Sequence, residues 1–337
     1  MQIKNILLTG ASGTVGYEVL KQLIEKKYYK VKVFDIKTPQ TEKKFARLPQ
    51  NFEIIYGDIS NTQDVVKATQ NVDAVIHLAA IIPPLADDNP KLAERVNVKG
   101  TENLIKALEQ NSPQAFFMYS SSISVYGDRV KTPYITVNDP LTPSEGDEYA
   151  ITKIQSEKIV QNSKLSWTIF RLAAIMGNHK ISKLMFHMPL NTAMEIATPS
   201  DTARAFVNGL EHQAELNTKI FNLGGGSQCR TTYEDFLQKS FNIFGLGNLN
   251  FPDKAFAEKN FHCGYYVDGD DLENIVKFRR DDLDDYFKMV ANKVNPFIKF
   301  LTKVFKSIIK KQLLRKSEPY EAFKEANQKL IKRFFNS

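Results

Sequence analysis

The first thirty-five residues constrain the fold of this chain more than any other segment. Residues 4–9 contain an apolar run, which leads into a turn at residues 10–16 that reads Gly-Ala-Ser-Gly-Thr-Val-Gly. A stretch of helical character follows, and a second apolar run, residues 31–35, ends on Asp35. A strand, a glycine-rich turn, a helix and a second strand in this order are typical of a unit that binds a dinucleotide.

Each glycine of this turn has its own expected task. Gly10 lets the chain turn sharply out of the strand, Gly13 lets backbone approach a pyrophosphate, and Gly16 lets the helix pack close to the sheet. The helix N-terminus then offers N–H groups and the positive end of its dipole to the phosphates. The residues predicted to contact the cofactor here are Gly10, Ser12, Gly13, Thr14, Val15 and Gly16.

The spacing is Gly-x-x-Gly-x-x-Gly and not the commoner Gly-x-Gly-x-x-Gly, so a glycine-rich turn that binds nothing is the alternative. Its position between two strand patterns favours the binding turn. Asp35 lies where an acid meets the ribose hydroxyls of adenosine, and because a carboxylate repels a 2′-phosphate, it favours NAD over NADP. The lysines at positions 37, 43 and 44 could neutralise such a phosphate, but solvated loop charges explain them more simply.

Apolar runs alternate with helical patterns along the chain to about residue 175. Further strands are predicted at 52–58, 72–80, 114–120, 167–173 and 219–224, with helices near 89–109, 149–162, 202–211 and 232–244. A short helix is also predicted after Asn61 or Thr62, either of which can cap it, with Val65, Val66 and Ala68 on its apolar side. Near-continuous apolar strands suit a parallel sheet covered on both faces. The alternation therefore predicts a doubly wound α/β fold of the Rossmann type.

The regular alternation ends near residue 176. Residues 177–198 look loop-like, and irregular pieces extend from the helix near 232–244 to about residue 285. We therefore predict a nucleotide-binding domain over residues 1–175, which the strand at 219–224 rejoins. A mainly substrate-binding region follows over 176–285, and a basic helical tail over 286–337.

The net charge of +7 is unevenly distributed. Residues 286–337 hold 13 basic and 3 acidic side chains, and residues 1–285 hold 32 basic and 35 acidic ones. The basicity therefore belongs to the tail and gives no support for nucleic-acid binding by the body. Two cysteines are too few for a disulfide framework, and the sequence predicts no signal peptide and no bilayer-spanning run, so a cytoplasmic location is expected.

Candidate catalytic residues follow the fifth predicted strand. Three serines end that strand at positions 120–122, and further on Tyr149 and Lys153 share one helix face at i and i+4. An ammonium nearby would stabilise a phenolate and lower the pKa of Tyr149, which suits general acid/base work on an alcohol or ketone. The same Tyr-x-x-x-Lys spacing at Tyr28 and Tyr320 lacks the preceding serine-rich strand and is interpreted as chance.

Taken together, these motifs resemble the NAD-dependent epimerase/dehydratase family of extended short-chain dehydrogenases/reductases, in particular its nucleotide-sugar epimerases. The matching segments occur in family order over roughly residues 3–280. They are Thr9 to Gly16, Asp35, Gly57-Asp58, His77 to Ala80, Asn97 to Thr101, Ser120 to Gly127, Tyr149 to Lys153 and Phe221 to Gly224.

The resemblance implies NAD as cofactor and a role for each matched residue. Tyr149 would transfer the proton, Lys153 would hold the nicotinamide ribose and tune Tyr149, and Ser122 would be the catalytic serine. Asp58 would contact the adenine with Ile59 beside it. Leu78, Ala79 and Ala80 would line the cofactor cleft, and Asn97 would support the active-site strands. Family members are often homodimers, and the substrate would be a nucleotide-sugar.

Several positions depart from the family pattern. Ile123 and Ser124 stand where dehydratases carry an acidic pair, which disfavours dehydration. No confident clamp for a uridine diphosphate is visible, and the arginines that could meet a diphosphate are Arg204, Arg230, Arg279 and Arg280. His77 is expected to line the cleft or sit hydrogen-bonded in the core. The histidines at 179, 187, 212 and 262 lack metal-ligand spacing, so no metal site is predicted.

The tail combines apolar and basic residues at helical spacing. Residues 292–316 predict one basic amphipathic helix, and a second short one is expected over 320–335 after Pro319. The apolar stripe either packs on the body or on a second subunit, or it attaches the protein peripherally to an anionic membrane surface.

Three functions are open at this point. The leading hypothesis is an NAD-dependent nucleotide-sugar epimerase, in which hydride leaves a sugar carbon and returns to its opposite face. The first alternative is an NAD(P)H-dependent reductase or dehydrogenase of a non-sugar carbonyl compound. The second is a non-catalytic, NAD-responsive binding protein, which the presence of Ser122, Tyr149 and Lys153 disfavours.

Overall fold

The computed structural model describes residues 5–177, 183–259 and 263–336. Its core is a seven-stranded parallel sheet in the order β10-β7-β5-β4-β1-β2-β3. The twelve strands of the described chain are β1 Asn5–Thr9, β2 Lys30–Asp35, β3 Glu53–Tyr56, β4 Ala74–His77, β5 Phe116–Ser122, β6 Tyr134–Ile135, β7 Ser166–Leu172, β8 Ala174–Ile175, β9 Ala193–Ala197, β10 Lys219–Leu223, β11 Arg230–Thr232 and β12 Tyr265–Tyr266.

Helices cover both faces of this sheet. They are α1 Thr14–Glu25, α2 Pro39–Phe45, α3 Thr62–Ala68, α4 Leu85–Asp88, α5 Pro90–Ala93, α6 Gly100–Asn111, α7 Glu148–Gln161, α8 Pro199–Gly209, α9 Gln213–Leu216, α10 Tyr233–Phe244, α11 Gly269–Val276, α12 Leu283–Lys293, α13 Pro296–Val304, α14 Lys306–Leu314, α15 Glu318–Lys324 and α16 Gln328–Phe334.

The residues of β1 show why the sheet is continuous and parallel. Ile6, Leu7 and Leu8 are all fully buried, so the strand faces apolar helices on both sides. Ile6 and Leu8 pack into a core with α1 and α8, whereas Leu7 packs into a second core with α3, α6 and α7. Burial on both faces is the property of parallel sheets that the apolar runs predicted, and the doubly wound α/β fold is confirmed.

The strand order reverses beside β1, because β2 and β3 continue on one side and β4 and β5 on the other. Crossovers that leave in opposite directions open a crevice at the carboxyl ends of the strands, where open α/β sheets place their ligands. The glycine-rich turn follows β1, and the serine-rich segment ends β5 at the same edge.

The helix predicted over 89–109 is divided into three segments. Asn89 caps α5 by accepting a hydrogen bond from Leu92 N, and Pro90 occupies the first turn as expected. A π-helical segment, Glu94–Lys99, then precedes α6. The wider π turn holds one residue more than an α turn, and a single helical pattern in the sequence gives no sign of it.

The region after residue 176 contains more regular structure than expected. The segment predicted as loop-like at 177–198 holds a 3₁₀ turn, Lys183–Phe186, and the strand β9, although residues 178–182 lie outside the described residues. β9 pairs antiparallel with β11 and parallel with β8. Between 245 and 285, described as irregular from sequence, lie β12, α11 and the start of α12.

The tail forms short helices and not the two predicted. Residues 292–316 divide into the end of α12, then α13 and α14, with Asn295 capping α13 and Phe305 separating α13 from α14. Residues 320–335 divide into α15 and α16 around Ala326, whose φ is +51°. Within the described residues, no helix is long and apolar enough to cross a membrane.

Candidate active site

The turn after β1 is a place where side chains would collide with backbone. Gly10 has a φ of +71°, and a Cβ on it would lie 2.6 Å from Ala79 N. A Cβ on Gly16 would lie 2.1 Å from the Gly10 carbonyl oxygen. The turn therefore needs glycine at both positions, one for its conformation and its approach to the strand β4, the other for the packing of α1 against the turn.

The first turn of α1 directs backbone N–H groups toward the crevice. The first helical hydrogen bond runs from Tyr17 N to the Gly13 carbonyl, so the N–H groups of Thr14, Val15 and Gly16 precede it. Gly13 itself is the N-cap residue, and Ser12 lies just before it. These N–H groups and the dipole of a twelve-residue helix suit a phosphate group.

Asp35 ends β2 and is tied to the same turn. Its Oδ2 accepts a hydrogen bond from Ser12 N at 2.7 Å, and its Oδ1 accepts one from Ile36 N at 2.8 Å. The carboxylate is 9% exposed and retains lone pairs for further donors. Lys44, which was expected to be a solvated loop residue, donates a hydrogen bond to the Ser12 carbonyl and so lies at the glycine-rich turn after β1.

Asp58 and Ile59 follow β3 at the same edge of the sheet. The Asp58 carboxylate accepts hydrogen bonds from the N–H and the hydroxyl of Ser60, both at 2.8 Å. Ile59 is buried against Gly100, where a Cβ would lie 2.7 Å from its Cγ2. The two residues extend the line of predicted cofactor contacts beyond Asp35, and their contact with an adenine stays a prediction.

A buried hydrogen-bond relay fixes the end of β4. The Thr101 hydroxyl donates to the Asn97 carbonyl at 2.6 Å, so its oxygen accepts from His77 Nε2 at 2.9 Å. His77 Nδ1 then accepts from the Thr9 hydroxyl at 2.7 Å, and Thr9 Oγ1 accepts from Ala79 N. Burial, with a smaller effect of Lys153, lowers the pKa of His77 to about 3. His77 is therefore neutral and structural, as expected, and it holds the segment of Leu78, Ala79 and Ala80 in place.

Asn97 lies in the π-helical segment and clamps the chain that leaves β4. Its Oδ1 accepts from Ile81 N at 2.7 Å, and its Nδ2 donates to the Ile81 carbonyl at 2.9 Å and to Thr152 Oγ1 at 3.0 Å. Thr152 precedes Lys153 on α7. Asn97 therefore joins the cleft-lining segment to the helix that carries the candidate catalytic pair.

Ser122, Tyr149 and Lys153 meet at the carboxyl end of β5. Asp147 begins α7 by accepting a hydrogen bond from Ala150 N, which places Tyr149 in the first turn and Lys153 one turn later. Lys153 is buried and donates to the Ser120 carbonyl at 2.7 Å, and its Nζ lies 5.6 Å from the centre of the Tyr149 ring. Ser122 is hydrogen-bonded to Tyr149, and both side chains are partly exposed to the crevice.

The electrostatics of this group differ from the sequence-based expectation. Burial raises the pKa of Tyr149 above its usual value, the nearby Asp147 carboxylate raises it further, and the hydrogen bond from Ser122 opposes both. Burial lowers the pKa of Lys153 to about 7, with Glu157 acting in the opposite direction. The expected lowering of the Tyr149 pKa by Lys153 is therefore wrong, and the phenol is protonated at neutral pH.

Behind the catalytic pair lies a buried ion pair. Glu157, one turn beyond Lys153, pairs with Arg171 of β7 through two hydrogen bonds of 2.7 and 3.0 Å, and both side chains are almost fully buried. Ser121 donates to Glu157, and Arg171 donates to the hydroxyl of Tyr126 at 2.8 Å. This network connects β5, β7 and α7 directly under the candidate site.

Of the four arginines proposed for a diphosphate, three are bonded within the chain. Arg204 pairs with Asp201, Arg230 with the buried Glu195, and Arg279 with Asp270. These arginines stabilise the loops around β9 and α11, which is the more common role of a partly buried arginine. Arg280 is exposed, and its backbone N–H donates to Asp201.

Two other cations, which no sequence motif indicated, lie near the candidate site. A cavity of about 290 Å³ is lined by Tyr126, Asp128, residues 142–145, Lys259 and Arg333. Tyr126 lies four residues after Ser122, and residues 142–145 shortly precede Asp147 and Tyr149. The cavity is therefore lined by residues close in sequence to both Ser122 and Tyr149. Arg333 belongs to α16, near the C-terminal end of the sequence. In the sequence it stands out only as one of the basic residues of the tail.

No metal centre is visible in the part of the chain that the structure describes, where no three histidine, cysteine, aspartate or glutamate side chains converge. His187 pairs with Glu318, and His212 lies 3.3 Å from Glu215. His179 and His262 lie outside the described residues. Cys229 and Cys263 are both free and buried.

The first half of the chain resembles a family of known enzymes. Residues 7–169 match the model of the 3-beta hydroxysteroid dehydrogenase/isomerase family. Human 3 beta-hydroxysteroid dehydrogenase type 7 is 29% identical over 271 residues, or 71% of this chain and 73% of that protein. The mouse type 7 enzyme is 28% identical over 46% of this chain, and the 3-beta-hydroxysteroid dehydrogenase of Mycolicibacterium neoaurum is 32% identical over 46%. The chain spans less than half the length of these last two, 43% and 42%.

Solved structures agree over a larger part of the chain. UDP-glucuronic acid 4-epimerase from Bacillus cereus, in complex with UDP-glucuronic acid and NAD, has a TM-score of 0.72 at 21% identity, covering 88% of this chain and 99% of that one. The dTDP-glucose 4,6-dehydratase of Streptomyces venezuelae, also with NAD bound, has a TM-score of 0.72 at 20% identity, covering 86% and 96%. This chain therefore has the sheet order, the glycine turn and the Ser–Tyr–Lys group described above, and it is also similar in structure to these two proteins. At 20% and 21% identity, these two structures show the fold of this chain, a parallel sheet with helices on both faces.

Proposed function

We propose that this protein is an NAD-dependent oxidoreductase that interconverts a secondary alcohol and a ketone, with Tyr149 as the proton-transferring residue. The observation that carries the proposal is the meeting of Ser122, Tyr149 and Lys153 at the carboxyl end of β5. A phenol, a hydroxyl and a buried ammonium are the groups needed to move one proton to or from a carbinol oxygen.

The turn after β1 supports NAD as the cofactor. A dinucleotide needs close approach to backbone, which Gly10, Gly13 and Gly16 permit, and N–H groups for its phosphates, which begin α1. Asp35 is held by two backbone N–H groups and is available to ribose hydroxyls. Named structural relatives were solved with NAD. When bound, NAD would accept a hydride from the alcohol carbon or, as NADH, return one to the carbonyl carbon.

The side chains of this chain handle the accompanying proton. In the direction of ketone reduction, Tyr149 donates its phenolic proton to the carbonyl oxygen while Ser122 donates a hydrogen bond to the same atom. The raised pKa of Tyr149 keeps that proton in place at neutral pH until it is needed. Lys153, in its ammonium form, stabilises the phenolate that results. Alcohol oxidation reverses each of these steps.

The substrate we favour is a hydroxyl or keto group on an uncharged carbon skeleton. Arg204, Arg230 and Arg279 are engaged in ion pairs with Asp201, Glu195 and Asp270, so they offer no ready clamp for a diphosphate. The curated relatives, moreover, are named as hydroxysteroid dehydrogenases. We set aside the non-catalytic binding protein, because that reading gives Ser122, Tyr149 and Lys153 no task.

A second candidate is the nucleotide-sugar epimerase of the leading sequence-based hypothesis. A cavity beside the candidate site supports it, because two cations, Lys259 and Arg333, and two acids, Asp128 and Glu145, line a space that can hold a polar substrate. The structural relative that binds UDP-glucuronic acid also supports it. In this reaction Tyr149 would first remove and then return the hydroxyl proton, with no net use of cofactor.

Incubation with substrate panels distinguishes the candidates. The protein would be given NAD with 3β-hydroxysteroids, or NADH with the matching ketones, while NADH absorbance is followed. Parallel samples with catalytic NAD and UDP-sugars would be analysed by NMR for a new sugar isomer. Stoichiometric NADH change with the first panel supports the dehydrogenase. A new isomer without NADH change supports the epimerase, and neither result with any compound contradicts both.

A further inference from the structure

Seven exposed large apolar side chains of the described chain lie within residues 297–308 of the tail. Phe297, Ile298, Phe300, Val304 and Ile308 are 67%, 59%, 62%, 59% and 66% exposed. No residue of α13 is buried. Soluble proteins rarely expose so many large apolar side chains on one short segment, and such surfaces mark contact sites. We call residues 297–308 the tail face.

The tail face is held outward by the way α13 contacts the body. The backbone of Lys299 and Lys303 lies against Gly245, at the end of α10, where a Cβ would be 2.7 Å from the Lys299 carbonyl oxygen. Phe297, Leu301 and Val304 lie at i, i+4 and i+7 on the opposite side of the helix from these two lysines. The body therefore binds the polar side of α13 and leaves the apolar side to the outside.

The next helix fixes this orientation. α14 packs into the core with Leu313 and Ile309, while Ile308 stays in solvent. Lys310 donates hydrogen bonds to the Asn248 carbonyl and to Asn250 Oδ1. Because α14 is docked by both apolar and polar contacts, the tail face cannot turn inward without breaking them.

The charge around the tail face has one sign. Residues 286–317 contain nine lysines and arginines and no aspartate or glutamate. The side chains of Lys299, Lys303 and Lys306 are exposed, although the backbone of the first two lies against the body. Long lysine side chains can keep their ammonium groups in water while the apolar residues beside them enter a nonpolar phase.

We infer that the tail face lies in the plane of an anionic phospholipid surface, with its apolar residues in the acyl boundary and its lysines among the headgroups. Each basic side chain near such a surface strengthens binding by about fivefold, and the apolar residues add to this. Two helices of nine residues each, broken at Phe305, are too short to cross a bilayer of about 30 Å. Contact is therefore peripheral.

A second copy of the chain is a poorer occupant of the tail face. A two-fold symmetric contact would place the same lysines of both copies side by side, because each patch meets itself. Residues 286–317 supply no carboxylate to pair with them. Phosphate headgroups supply the opposite charge and an apolar layer together.

The test is co-sedimentation of the full-length protein with vesicles of phosphatidylcholine, either pure or mixed with phosphatidylglycerol. The variant Ile298→Asp/Ile308→Asp places two acids on the tail face, and the control Val66→Asp/Val267→Asp places two on exposed aliphatic positions elsewhere. We expect wild type and control to bind the mixed vesicles, with binding weakened by added salt, and the tail-face variant to bind at least tenfold more weakly. All three proteins should show the same circular dichroism spectrum, since the changed residues are exposed.

Three results would overturn the inference. Equal recovery of wild type and tail-face variant with the mixed vesicles would show that the tail face does not bind the phospholipid surface. Equal binding to pure phosphatidylcholine would contradict an anionic partner. Absence of vesicle binding, together with a dimer in sedimentation velocity that the tail-face variant loses, would identify the tail face as a subunit interface.

Discussion

The parallel sheet and the tail obtain their structure from different sources. In the sheet, β1 and β4 are buried on both faces and bonded to neighbours that lie far away in sequence. In the tail, each of the helices α13, α15 and α16 begins with its own cap, Asn295, Ser317 or Asn327, and α13 buries no residue. The sheet is specified by burial, whereas α13 begins at its own cap and leaves its surface free for contact.

The largest expected effect tests whether proton transfer takes place at Tyr149, beside the parallel sheet. Tyr149→Phe removes the proton donor but no apolar contact, so turnover should fall by about 10²–10⁴-fold while NADH binding stays within about twofold. Steady-state rates and NADH fluorescence titration would measure the two effects. Tyr134→Phe, at a tyrosine that is 63% exposed, is the matched control and should behave as wild type. Near-normal turnover of Tyr149→Phe would remove Tyr149 from the mechanism.

The next effect concerns the buried ion pair below the site. Glu157→Gln leaves Arg171 buried with an uncompensated charge, and unfolding free energy should fall by about 3–5 kcal/mol in urea titrations. The control Glu102→Gln breaks the exposed pairs with Lys99 and Lys106 and should cost less than about 1 kcal/mol. Similar costs for the two variants would mean that burial does not distinguish these ion pairs.

A change in the glycine turn should have a moderate effect. A Cβ on Gly16 meets the Gly10 carbonyl at 2.1 Å, so Gly16→Ala must shift α1 and should cost about 1–3 kcal/mol and weaken NAD binding. Gly247→Ala meets no atom within 4 Å and only adopts an unfavourable φ of +72°, at about 1 kcal/mol. Calorimetry for NAD and urea titration would compare them. Unchanged NAD affinity in Gly16→Ala would argue against the proposed phosphate site.

The pH dependence should report on Lys153. Burial lowers its pKa to about 7, so the ammonium form is lost as pH rises through that value, and kcat/KM should fall there. Glu157 favours the ammonium, so Glu157→Gln should move the fall to lower pH. Rates measured from about pH 5 to pH 9, at a temperature where both proteins are folded, would show this. A fall at the same pH in both would show that another group is titrating.

The smallest expected effect is in the tail. Asn295→Ala removes the side chain that caps α13, and should cost about 1 kcal/mol or less, because helix caps are worth about that much. Asn61→Ala removes the equivalent cap of α3, which packs in the second core, and is the matched comparison. Hydrogen exchange would follow α13 and α3 separately. A global loss of stability in Asn295→Ala would show that α13 is not locally specified.

The sequence predicted what depends on local pattern. The parallel strands, the glycine turn and the face shared by Tyr149 and Lys153 follow from apolar runs, glycine spacing and helical periodicity. β9 was missed because its five residues include Glu195, whose partner Arg230 is distant in sequence and makes the acid tolerable in a buried strand. The position of Arg333 beside Gly146 depends on how the tail folds back, which no local pattern records.

Electrostatics was the other part that the sequence could not supply. The spacing of Tyr149 and Lys153 predicts their attraction but says nothing about burial, which is the largest cause of the pKa shift of each group. The tail illustrates the same point from the opposite direction. Its periodicity is helical throughout, yet the break at Phe305 and the outward position of the apolar residues depend on Gly245, Asn248 and Asn250 of the body.

The π-helical segment Glu94–Lys99 rotates the side chains of α6 about the helix axis relative to those of α5. Ala93 before the segment, Asn97 within it and Leu104 after it are all buried. Asn97 is hydrogen-bonded to Ile81, whereas Leu104 packs in the second core. Each residue of an α-helix advances the side chain by about 100°, so deleting Arg95 would restore a regular helix and rotate one of these faces away from its partner. The extra residue therefore sets the angle at which Asn97 meets Ile81, and the site depends on the length of this segment as well as on its side chains.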